Sequence, residues 1–162
     1  MAQVRFTVAR LLGLKSSADE LSLNGLDEPE ESSRYAKREV GARGESAAQR
    51  FLAAEGFEVL VTNWRCKAGE IDIVALEGLA LVIVEVKTRV FKATTRRYLF
   101  DAVTQRKQHK LRILTEWFIA TELRRKQPVQ VRIDVVGVLL NPIDLSVHSI
   151  EHLRGVGYSD RN

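Results

Sequence analysis

Cysteine is almost missing from the chain: the single Cys66 cannot close an internal disulfide, so a reducing, cytoplasmic setting is expected. No apolar run approaches the roughly eighteen residues that a membrane-crossing helix needs, so no membrane partner is expected. The N-terminal stretch VRFTVARLLGL is broken by Arg10 and carries no clear small-residue cleavage site, which argues against a signal peptide. No glycine-rich phosphate loop, nucleophile elbow or internal repeat is present. His148 and His152 have a spacing that converges only on a helix, and no cysteine or further histidine joins them, so both read as structural and zinc is not expected.

The 162 residues suffice for one domain with a real core and are too few for two ordinary ones. The net charge of +4 is unevenly spread: Lys87 to Lys126 holds twelve basic and three acidic residues, a stretch that attracts a polyanion or forms a solvated helix face.

The chain is organised around Gly69 to Arg89, GEIDIVALEGLALVIVEVKTR. Two apolar runs, Ile71 to Leu76 and Leu79 to Val86, flank Glu77-Gly78 and predict a β-hairpin. Four charges interrupt it: Glu70, Asp72, Glu85 and Lys87. With the turn centred between Glu77 and Gly78, Asp72 falls opposite Ile83 and Glu70 opposite Glu85. The pleat then puts all four charges on one face. Asp72 and Glu85 become diagonal neighbours roughly 7 to 8 Å apart, close enough to share one cation. Opposed carboxylates repel unless a cation or Lys87 neutralises them, and oxygen-only donors favour a hard ion such as magnesium. The alternative is a solvated strand face.

Residues 1–40 read as a flexible extension, an amphipathic turn or two followed by a polar, acidic linker, with tethering, a partner helix and an over-long reading frame all open. A helix is predicted from about Arg38 to Glu55, stopped by Gly56. Its small residues allow close approach to a sheet. Glu45 flanks the buried stripe, as a third acidic group or as a boundary glutamate bonded locally. A strand follows over Phe57–Trp64, where Asn63, Trp64 and Arg65 either contact substrate or close the strand end. Val90–Phe100 reads as a loop in which Lys92, Arg96 and Arg97 sit beside Phe91, Tyr98 and Phe100, either gripping phosphates and stacking bases or anchoring the loop in the core. Asp101 is the expected N-cap of a long helix ending before Pro128. Its apolar stripe joins Val103, Leu111, Leu114 and Phe118, with Trp117 on its flank. Lys107 and Lys110 fall on the same stripe, so they meet something acidic or phosphate-bearing, or snorkel outward. Val129–Leu140 and Leu145–Ile150 read as strands, with Arg132 and Asp134 sharing a face and able to pair.

Asp72 followed by Glu85-Val86-Lys87 on the next strand resembles the pattern of the PD-(D/E)xK nuclease superfamily. A wider match, carried by GARGESAAQRFLAAEGFEVLVTNWR, AGEIDIVA, VIVEVKTR, VTQRKQHKL and VRIDVVGV over residues 41–153, resembles the YraN family of predicted endonucleases. Between Val90 and Phe100 the chain departs from the family's usual glycine-containing loop, which bears on loop geometry and substrate choice. The resemblance implies an α/β fold with a restriction endonuclease-like core, a mixed central sheet flanked by helices over 41–153, and a C-terminal tail from residue 154. It implies Asp72, Glu85 and Lys87 as catalytic residues, with Glu45 as an acidic group from the first helix. Asp72, Glu85 and Glu45 would hold Mg²⁺ or Mn²⁺, with Glu70 in the outer shell. Lys107, Lys110, Arg89, Arg96 and Arg97 would contact nucleic acid, expected to be DNA, by a monomer or a homodimer. A different class stays open: an inactive nucleic-acid-binding module on the same fold.

Overall fold

Two helices sandwich one mixed sheet in a computed structural model that describes the backbone of residues 4–6 and residues 37–92, 104–123, 128 and 130–156. The elements are β1 (Val4–Phe6), α1 (Lys37–Ala54), β2 (Glu58–Cys66), β3 (Gly69–Glu77), β4 (Ala80–Val90), α2 (Gln105–Glu122), β5 (Gln130–Leu140) and β6 (Val147–Leu153). The sheet order is β1-β6-β5-β4-β3-β2, parallel between β4 and β5 and antiparallel elsewhere. The restriction endonuclease-like α/β expectation holds in the described core: a mixed sheet with a helix on each face. The segments expected as a flexible extension and a tail lie mostly outside the described residues; of them Val4–Phe6 forms β1 against Ile150–His152 of β6, Lys37–Val40 opens α1, and residues 154–156 follow β6.

The central strands are the reason for the two-layer build. Residues 80–84 of β4 and 133–140 of β5 are buried on both faces, as a sheet covered twice requires, and both therefore read as near-continuous apolar runs. On one side Ala47, Ala48, Phe51 and Leu52 of α1 pack on Val82, Val84, Val136 and Val138; on the other Leu111, Leu114 and Phe118 of α2 pack on Leu81, Ile83 and Ile133. The first helix ends in a Schellman motif. Gly56 takes φ 88°, its N–H bonds the Ala53 carbonyl, and the Phe57 N–H bonds the Leu52 carbonyl, conformational freedom that only glycine supplies cheaply.

The hairpin register differs from the sequence expectation. Its pairs run from Glu77↔Ala80 to Ile73↔Val84, so the turn centres on Gly78-Leu79 instead of Glu77-Gly78. Gly78 sits at the first central position with φ 59°, as a type II′ turn needs, and Leu79 stays exposed. A two-residue shift preserves parity, so extending the register sets Asp72 directly opposite Glu85, where the sequence reading had Glu70. Strict alternation, however, is not kept through Asp72. Ile71 packs with the α2 cluster and Ile73 with the α1 cluster, although they lie two apart. The break faces Asn63 of β2, whose left-handed φ of 53° lies between the pairs Thr62↔Ile73 and Trp64↔Ile71.

The long helix begins at Gln105, capped by the Thr104 hydroxyl, which accepts the Lys107 N–H at 3.3 Å. The expected cap, Asp101, lies outside the described residues, as do Val103 and the loop with Arg96 and Arg97. Thr104 wins the position because a side-chain oxygen three residues before a helical N–H satisfies one of the orphan donors of the first turn.

Candidate active site

Beyond Ile73↔Val84 the two hairpin strands fork. The β3 segment below that rung stays paired with β2 through Cys66↔Gly69, while β4 continues beside β5 to Val90↔Leu140. Asp72, Glu85 and Lys87 occupy this fork. The Val86 N–H donates to Asp72 Oδ2 at 2.7 Å, so a carboxylate takes a hydrogen bond that a continued ladder would have given to main chain.

Glu85 is almost fully buried. Its Oε1 accepts the Nζ of Lys87, two residues along the same strand, and the Nζ of Lys107 from α2 at 2.9 Å. Its Oε2 is buried and has no hydrogen-bond partner among the described residues. A buried carboxylate oxygen left unsatisfied is costly, which makes it the natural seat for a cation or a donor brought by a ligand. Asp72 beside it has its pKa pushed up to about 6. Burial is the largest cause and the Glu85 charge the next; the Val86 N–H and Lys107 pull the other way, and Glu45 adds to the rise. Asp72 thus feels charges from α2 on one face of the sheet and α1 on the other, which the open fork allows.

Glu45 reaches this neighbourhood because Gly44 does. A Cβ at Gly44 would stand 1.8 Å from Thr88 Oγ1 and 2.7 Å from Thr88 Cβ, so α1 crosses β4 at a distance only glycine permits. Among the described residues no group of three His, Cys, Asp or Glu is close enough to hold a metal ion together. Asp72 and Glu85 are the adjacent carboxylates, with Glu45 acting on Asp72 at longer range.

The remaining candidates divide. Lys107 lies on the inward stripe one turn before Leu111, and the acidic group it meets is Glu85. Lys110 lies over the turn between β2 and β3: a Cβ at Gly69, φ 144°, would come within 2.8 Å of its Cε. Glu70 pairs with Arg65, its rung partner on β2, at 3.2 Å and is exposed, so it turns away from Glu85. Arg89 is exposed and donates to the Thr88 carbonyl. Trp64 is structural: its indole N–H donates to Glu122 at 3.1 Å and its ring stands edge-on to Phe118. His148 stacks against Phe91.

The pairing of Arg132 with Asp134 expected from the sequence forms, inside a larger polar cluster under α1 that the sequence did not show. Asp134 is fully buried, bonded by Arg132 at 2.8 and 3.0 Å, by His152 Nε2 at 3.0 Å and by the Gly155 N–H at 2.9 Å. Burial alone would raise its pKa, but the bonds from His152, Arg132 and Gly155 outweigh that and hold it below the ordinary aspartate range. Arg132 also pairs with Glu77 at 2.8 Å, and Arg154 pairs with the same carboxylate. An aspartate inside the apolar run IDVVGV was the available signal; His152, a strand away, gave none. The cluster fastens the C-terminal segment to the hairpin turn and contributes nothing to the fork.

Among the described residues no helix is long and apolar enough to cross a membrane. The family model described as "Uncharacterised protein family UPF0102" matches residues 44–138. A UPF0102 protein of Beutenbergia cavernae is 45% identical over 122 residues, covering 75% of this chain and 98% of that one. One from Caldicellulosiruptor saccharolyticus is 42% identical over 105 residues, 65% and 86% of the two chains. Another, from Streptomyces coelicolor, is 45% identical over 122 residues, 75% and 90%. With the matched span running from Gly44 at the α1–β4 crossing to Val138 in β5, and so containing the whole fork, the chain belongs to the UPF0102, YraN-like family.

Proposed function

We propose that the protein is a metal-dependent nuclease that hydrolyses phosphodiester bonds in DNA, branched or junction DNA included. The observation that carries this reading is Glu85, a buried carboxylate with one oxygen unsatisfied among the described residues, set against the Asp72 carboxylate at a strand fork lined by lysines. The donor set fits a hard ion: both candidate ligands are carboxylates, and magnesium is held through one or two of these plus substrate phosphate oxygens. Asp72 and Glu85 would hold Mg²⁺ or Mn²⁺, with Glu45 adding negative charge. When bound, such an ion supplies Lewis-acid polarisation of a phosphoryl oxygen and lowers the pKa of water.

The chain's own groups supply the rest. Lys87, tethered beside Glu85, orients the attacking water, takes its proton once it has itself lost one, or as the ammonium offsets the charge gathering on the phosphate as the leaving oxygen departs. Lys107 and Lys110 position phosphates without reading sequence, and Arg89 adds an exposed cation, while Arg96 and Arg97 lie outside the described residues. Glu70, paired with Arg65, stands outside this set.

A second reading, an inactive DNA- or RNA-binding module, is favoured by one observation: Lys87 and Lys107 already neutralise Glu85 from within the chain. The two separate on a panel of branched, nicked, single-stranded and duplex substrates with Mg²⁺ or Mn²⁺. Cleavage by the wild type that is lost in Asp72→Ala supports the nuclease. Binding with steep salt dependence and no cleavage of any substrate supports the module.

A further inference from the structure

We propose that Lys107 is a resident cation at Glu85, which a divalent metal must displace, so that α2 governs metal entry to the fork. The inference rests on the metal-dependent reading above and adds a competitor for the metal that lies within the chain.

Two ammonium groups share the single oxygen Oε1 while Oε2 of the same buried carboxylate has no partner among the described residues. They are not equivalent. Lys87 stands two residues from Glu85 on the same strand and is the less exposed of the two lysines, at one-fifth. Lys107 arrives from α2 and sits three-tenths exposed, on a flexible four-carbon stem with water on its outer side. With both lysines in place the charges of Asp72 and Glu85 are balanced, and a divalent ion gains little by approaching. Withdrawal of Lys107 alone leaves a net negative position. The end of α2 that carries it is fixed by the Thr104 cap and by Leu111 and Leu114, so the side chain can move without the helix moving.

The released ammonium is the group assigned above to a substrate phosphate. A state with Lys107 off Glu85 therefore favours both ligands, and by linkage metal and phosphate each strengthen binding of the other.

The test is Mn²⁺ binding to the full-length protein without nucleic acid, followed by electron paramagnetic resonance, with urea unfolding to verify folding. Lys107→Met keeps the stem and removes the charge, and is expected to bind Mn²⁺ about 5- to 150-fold more tightly than wild type. Lys107→Arg keeps the charge with a stronger carboxylate grip and is expected to bind more weakly. Lys110→Met removes a nearby cation that lies over Gly69 and is expected to change affinity by less than about twofold, because short-range displacement, unlike bulk charge, is specific to one side chain. If wild type binds Mn²⁺ and Lys107→Met binds no more tightly, the inference is overturned and the metal-dependent reading stands. Equal tightening by Lys107→Met and Lys110→Met overturns it as well, since general electrostatics then suffices. If no form binds Mn²⁺, both the inference and the reading beneath it fall.

Discussion

Replacing Gly44 by alanine should destabilise this protein, against the usual trend for a helical glycine. In an exposed helix interior Gly→Ala gains about 1 kcal/mol, from reduced backbone freedom in the unfolded chain and a solvent-shielded helix backbone. Here the new methyl would stand 1.8, 2.6 and 2.7 Å from Thr88 Oγ1, Cγ2 and Cβ. Rotating the Thr88 side chain moves the first two atoms but not Cβ, so α1 itself must lift from β4. Forced overpacking of this kind costs about 1 to 3 kcal/mol, and a backbone-level clash belongs at the upper end. The net expectation is a loss of about 2 kcal/mol, read in equilibrium urea unfolding as a midpoint lower by about 1 M at the slope typical of a small domain. Thr88→Ala in the same chain removes two of the three clashing atoms, so a double-mutant cycle should return a coupling of about 1 kcal/mol or more. The reasoning is refuted if Gly44→Ala raises stability by the ordinary helical increment with no coupling to Thr88. In that case α1 does not approach β4 closely, and nothing brings Glu45 towards Asp72.

Titration offers two further tests, with opposite signs. Asp72 has a folded pKa of about 6 against an ordinary 3.8, so any stability linked to its proton is present below the ordinary value and lost as pH rises through 6. In EDTA, Asp72→Asn, which keeps an acceptor for the Val86 N–H, should therefore be more stable than wild type at pH 8 by on the order of 2 kcal/mol, the gap closing by about pH 4; a less stable variant at pH 8 would count against the buried-carboxylate account. Asp134 is depressed, so its contribution is present above the ordinary value and lost as pH falls through its lower folded pKa. Asp134→Ala should cost about 3 kcal/mol at neutral pH, by leaving His152 and the Gly155 N–H without their acceptor and Arg132 with Glu77 alone, and should flatten the acid side of the stability–pH curve; an unchanged acid limb would show that the cluster is not ionised as drawn.

Much of this was legible in the chain because periodic signals survive small errors. The hairpin turn lies one position later than the expected Glu77-Gly78, since apolar Leu79 reads as the first residue of a strand but is an exposed turn residue behind Gly78. Parity helped the reading: a two-residue slip leaves Asp72 and Glu85 in company, and they meet across the fork that opens beyond Ile73↔Val84. Lys107 on the inward stripe of α2 likewise meets something acidic, Glu85, whereas Lys110 is exposed, the outward alternative. What could not be read was tertiary. The fork below Ile73↔Val84, the reversal between Ile71 and Ile73 opposite Asn63, and the meeting of Asp134 with His152 depend on how separate elements twist and pack, which leaves no period in the sequence. Glu70 shows the cost of assuming a flat ladder, because once the strands part it turns to Arg65 on its own rung.

The central claim, that the fork between β3 and β4 cuts phosphodiester bonds, is tested most directly by the single-turnover rate on the best-cleaved DNA of the panel, comparing wild type with Lys87→Ala at saturating Mg²⁺ and matched binding. The account predicts a fall of about 10²- to 10³-fold, as for loss of one positioned electrostatic group, with folding intact. An undiminished rate in Lys87→Ala would contradict it.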